Sequence, residues 1–114
     1  YKRQVHGPGY SGGNGRGSTF FASSVLSAAY HNYGIDWTPN KIVWTFDGQP
    51  YFTMTPADTG GNRYVFNQEF FLILNLAMGG EFPGDTDPAV KNSMMSVDWI
   101  RYYSISGQGR LFKH

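Results

Sequence analysis

The chain has 114 residues, with nine Lys and Arg against eight Asp and Glu for a net charge of +1. Its basic residues are scattered from Lys2 to Lys113, which argues against nucleic acid as a partner. No apolar stretch is long enough to span a bilayer, and the absence of cysteine removes disulfide frameworks and thiolate metal sites. Aromatic residues make up 18% of the chain against 15% charged, a bias that suits β-structure better than a helical bundle.

In chain order, the first residues, YKRQVHGPGY, contain no signal-peptide core. The segment HGPGYSGGNGRG, residues 6 to 17, then spells two motifs at once. Gly7 to Gly12 is a literal GxGxxG, and Gly9 to Gly13 is a literal GxSxG. A dinucleotide loop needs a preceding strand, a helix opening on its last glycine and an acid about 20 residues on. Here β-type sequence follows, and the first acid anywhere is Asp36. A serine nucleophile elbow needs a strand-to-helix turn and the order Ser, Asp, His. After Asp36 the only histidine is His114, the last residue. Both readings fail, which leaves glycines that turn the backbone tightly beside His6.

Beyond this loop the hydrophobic period is two almost everywhere. His31, Tyr33, Ile35 and Trp37 alternate with Asn32, Gly34 and Asp36, and Thr38-Pro39-Asn40 supplies turn chemistry. Lys41 to Phe46 reads as a strand closed by the hairpin signal Asp47-Gly48, and Tyr51 to Thr55 returns from it. The result is a three-stranded meander over residues 30 to 55. Pro56 to Asn62 reads as loop, and Tyr64 to Phe66 as a short extended piece. Phe70 to Met78 (FFLILNLAM) is a continuous apolar strand with one amide, Asn75. Gly79 to Asn92 is a long loop, and Met94 to Ile105 is a final β-branched and aromatic strand. About seven strands and no helix predict an antiparallel β-sandwich.

The run HGPGYSGGNG, followed by HNYGIDWTPNKIVWTFDGQPYFTMTPAD, FFLILNLAMGGEFPG and MMSVDWIRYY, resembles the C-terminal half of a laminarinase-type endo-β-1,3-glucanase of glycoside hydrolase family 16. These separate blocks span residues 5 to 103 in the right order, which is far more specific than any one motif. The resemblance implies an all-β, concanavalin A-like jelly roll of two antiparallel sheets, of which this chain carries only the C-terminal half. It also implies a β-glucan groove, retaining hydrolysis of β-1,3 or mixed β-1,3-1,4 bonds, and an extracellular enzyme. Residues 1–105 form the glucanase-like part on this reading, and 106–114 a tail or linker.

The family's catalytic strand carries Glu-x-Asp-x-x-Glu, or a version with one more residue, just before the HGPG block. Neither pattern occurs in the 114 residues. Retaining hydrolysis needs two carboxyl groups about 5 to 5.5 Å apart. The only glutamates are Glu69 and Glu81. Glu69 and Asn75 are separated by roughly 20 Å at strand rise, and Glu81 follows a Gly-Gly turn. Asp85 and Asp87 read as a solvated loop pair. No catalytic residue is therefore assigned within the chain, which is expected to be inactive alone and to require the missing N-terminal half or a second copy. The alternative is a glucan-binding, lectin-like module that does not cut.

On the apolar strand, Leu72, Leu74 and Leu76 share a face suited to the core, while Ile73, Asn75 and Ala77 share the other. The resemblance places Asn75 in the groove near the catalytic centre and His6 beside the acid/base glutamate on the leaving-group side. It also matches Gly79 to Gly84 to a family loop that more often reads Gly-Gly-Asn-Trp-Pro-Gly. Phe82 keeps a stacking face for a pyranose without the indole donor, and Glu81 adds charge. The expected substrate contacts are thus His6, Asn75, Glu81 and Phe82. Trp37, Trp44 and Trp99 read as core. Asp98, an acid inside an apolar strand, matches the family's structural calcium ligand, although calcium takes about six to eight oxygens. No other cofactor is implied.

Overall fold

A computed structural model describes residues 2–80 and 84–112. Its five strands are β1 (Lys2–Val5), β2 (Arg16–Thr19), β3 (Tyr33–Thr38), β4 (Lys41–Phe46) and β5 (Gln49–Met54). All pairings between them are antiparallel, β1 with β2 and β3-β4-β5 as a meander. Among the described residues only short 3₁₀ turns accompany them, at Gly12–Asn14, Leu26–Ala28 and Pro56–Thr59.

The meander forms where the alternating pattern predicts it. Along β4, Ile42, Trp44 and Phe46 are buried while Val43 and Thr45 are only partly so, the period of two expected of a half-buried strand. Asp47 (φ 49) and Gly48 (φ 79) both take positive φ, the two-residue turn whose twist matches its flanking strands. The β4–β5 register slips by one between Trp44 and Thr45, leaving Tyr51 as the extra residue next to Pro50. Pro50 has no N–H to give a ladder, so a bulge is a natural place for it.

Two compact units divide the chain, residues 1–69 with 104–114, and residues 70–103. The first has a core of Val5, Tyr10, Ile42, Trp44, Met54 and Phe66. Phe20 extends it, packing on Phe46 at 4.8 Å and Tyr51 at 5.5 Å between ring centroids. A last turn, with Ser106 and Gly107 at positive φ, closes between Ile105 and Gln108 through paired backbone bonds of 3.2 and 2.9 Å.

Two predicted strands do not form. Residues 70–78 and 94–105 enter no ladder among the described residues, nor does the short extended piece at 64–66, and Leu72, Leu74 and Leu76 are exposed rather than buried. A strand is held by a neighbour's backbone and buried by a facing layer, and among the described residues 71–78 and 94–103 pair in no ladder and leave their large apolar side chains exposed. Trp37 and Trp99, expected in the core, are also exposed, at 42% and 48%. Trp37 instead donates its indole N–H to the Phe66 carbonyl at 2.6 Å, and Arg101 lies 4.5 Å over the Trp99 ring. Trp44 alone is core, at 4% exposure.

Candidate functional site

The glycine-rich segment is the connection of the β1–β2 hairpin. Gly7 and Tyr10 exchange backbone hydrogen bonds of 3.1 and 3.0 Å around Pro8-Gly9. Pro8 presets its own φ and Gly9 takes φ +78, as the two central positions of a type II turn require. This tight turn carries His6 at its base, exposed to solvent.

Tyr10 fixes the turn to the core. It is completely buried, its ring lies where a Cβ on Gly7 would stand, and its hydroxyl donates to the Arg63 carbonyl at 3.0 Å. On the other side, the Asn62 side chain occupies the space a Cβ on Gly9 would need. Asn62 is itself set by its amide N–H, which donates to the Thr59 carbonyl at 2.9 Å. The buried Thr59 hydroxyl sits 2.8 Å from the Pro56 carbonyl and 2.6 Å from that of Asn62. Thr55 donates its backbone N–H and its hydroxyl to the Asp58 carboxylate, both at 2.7 Å, and these bonds hold that carboxyl below its ordinary range. A rigid 55–63 turn therefore braces the His6 loop.

Among the expected contacts, His6 lies in the first unit, while Asn75 and Asp98 lie in the second and are exposed. Glu81 and Phe82 lie outside the described residues. Among the described residues on either side, Gly84 donates its N–H to the Gly80 carbonyl at 2.9 Å. Among the described residues no three His, Asp or Glu side chains cluster as metal ligands. Sequence reading missed Tyr10 and Asn62; a large aromatic between glycines was the only signal available for the first.

Residues 1–101 match the family described as Glycosyl hydrolases family 16. The chain belongs to that family. Its fold class is the antiparallel jelly-roll sandwich of family 16 laminarinases. The endo-β-1,3-glucanase from Pyrococcus furiosus is 40% identical and superposes with a TM-score of 0.68, covering 77% of this chain and 35% of that one. The catalytic domain of an endo-1,3-β-glucanase (laminarinase) from Thermotoga petrophila RKU-1 is 37% identical with a TM-score of 0.69, covering 76% and 36% respectively. A β-glucanase of Rhodothermus marinus is 33% identical over 81 residues, 65% of this chain and 28% of that protein. This family 16 chain thus spans about a third of the length of such relatives.

Proposed function

We propose that this chain is part of a retaining endo-β-1,3-glucanase that hydrolyses β-1,3 or mixed β-1,3-1,4 glucan outside the cell. The observation that carries the reading is the 40% identity to an endo-β-1,3-glucanase along 77% of the chain. Retention requires a nucleophile and an acid/base carboxyl about 5 to 5.5 Å apart. The 114 residues hold two glutamates, Glu69 and Glu81, and no Glu-x-Asp-x-x-Glu. The reacting carboxylates are therefore contributed from outside these residues, by the remainder of the domain. This chain's part is to bind and orient the sugar. An imidazole offers one donor and one acceptor in a fixed plane, which lets His6 orient a hydroxyl. Asn75 adds amide groups, Phe82 an apolar face for a pyranose, and Glu81 a charge at the same loop.

Reducing-end release from laminarin tests the reading. The 114-residue chain of verified mass releases none, and the full-length protein releases oligosaccharides. A full-length protein that binds laminarin without cleaving it would replace the glucanase by a glucan-binding module. In the full-length protein His6→Ala lowers oligosaccharide affinity about three- to tenfold, the equivalent of one hydrogen bond. Unchanged affinity in that variant would remove His6 from the sugar contacts.

A further inference from the structure

The β1–β2 ladder ends with Val5 opposite Arg16, so the next facing pair is His6 and Gly15. Directly opposed residues hold their Cβ atoms about 4.5–5.5 Å apart, and side chains there compete for one patch of surface. In this pair the imidazole has taken the patch. A Cβ built on Gly15 would stand 2.7 Å from His6 Cε1, 3.0 Å from Nδ1 and 3.2 Å from Nε2. The ring thus lies across bare backbone.

The backbone does not explain this glycine. Gly15 has φ −53 and ψ 140, an extended conformation open to any L-residue. Gly9 at φ +78 and Gly12 at φ +56, in the same loop, lie where only glycine is at ease. Gly15 is also held from both sides, its N–H donating to the Gly12 carbonyl at 3.2 Å and its carbonyl accepting from Gln4 Nε2 at 3.4 Å. If a methyl group were added, the part free to give is the exposed ring.

We propose that Gly15 is the positioning residue of the His6 imidazole, and that the ring's aim toward a β-glucan depends on position 15 carrying no side chain. The sugar-binding half of this statement rests on the proposed function of His6. The seating of the ring does not.

Gly15→Ala in the full-length protein separates the two. The ε1 carbon–proton resonance of His6, assigned by its loss in His6→Ala, should move while that of His31 stays, with no fall in melting temperature. Affinity for laminari-oligosaccharides should fall about three- to tenfold, and the double variant should lose no more than His6→Ala alone, because both changes remove one interaction. An unmoved His6 resonance overturns the proposal. So do additive losses, or full affinity in Gly15→Ala where His6→Ala is weakened. If His6→Ala itself binds normally, the sugar contact fails, and the resonance still decides whether Gly15 seats the ring.

Discussion

The Tyr10 hydroxyl donates to the Arg63 carbonyl at 3.0 Å, tying the loop of the first hairpin to a residue 53 positions away. The ring beneath it is fully buried and tilted against Phe66 at 6.4 Å between centroids. Tyr10→Phe keeps the ring and removes the donor, so it should cost about 0.5–1.5 kcal/mol. Tyr10→Ala empties the site and should cost about 3–5 kcal/mol. Urea unfolding of the full-length protein measures both, and the gap between them reports how much of the anchor is packing.

Gly9 and Gly12 both take positive φ, yet only Gly9 faces an occupied site, the Asn62 side chain. Left-handed backbone costs an L-residue about 1–2 kcal/mol. Gly12→Ala should therefore lose about that much and leave the loop in place. Gly9→Ala should lose more, and Gly9→Ala with Asn62→Gly should recover the excess. Thermal unfolding of the three variants provides the comparison.

Asp47 accepts the Asn32 backbone N–H and faces His31 Nδ1, each at 2.8 Å. The Asn32 bond first, then that of His31, holds the Asp47 carboxyl below its ordinary 3.8. A folded pKa lower than the unfolded one contributes stability that is present above the unfolded value and lost as pH falls through the folded value. Asp58, lowered by Thr55, acts with the same sign. The wild-type protein should lose stability below about pH 4 more steeply than Asp47→Asn, since asparagine tolerates the positive φ but carries no charge. Chemical denaturation midpoints between neutral pH and the acid limb compare the two slopes.

Trp44 is 4% exposed and packs on Phe52 at 5.0 Å between centroids. Trp44→Ala should destabilise by about 3–5 kcal/mol. Calorimetric titration should show near-normal oligosaccharide affinity in whatever fraction remains folded. A stable Trp44→Ala protein that had lost binding would move this tryptophan from core to groove.

Phe71, Leu72 and Ile73 are 84%, 69% and 67% exposed, and no ladder pairs their backbone among the described residues. Unpaired strand backbone beside a contiguous apolar surface favours association. The 114-residue chain prepared alone should dimerise or aggregate. Sedimentation that found a cooperatively folded monomer at micromolar concentration would contradict this.

Local patterns determined the meander. Alternating residues in β4 and an Asp-Gly pair encode strand, face and turn within a few positions, because pleat and turn conformation are short-range properties. The HGPGYSGGNG segment was likewise legible as a turn beside His6, and several blocks in order were enough for the family. Tertiary structure decided what pairs with those elements. That Tyr10 plugs the core and that Asn62 fills the space beside Gly9 depend on segments brought together from elsewhere in the chain, and that His6 lies over Gly15 depends on the register of the first hairpin. No spacing rule links residue 10 to residue 63. The same limit explains the strands that did not form: FFLILNLAM has every local mark of a buried strand, but pairing and burial are properties of neighbours, and an apolar run does not state which neighbours it has.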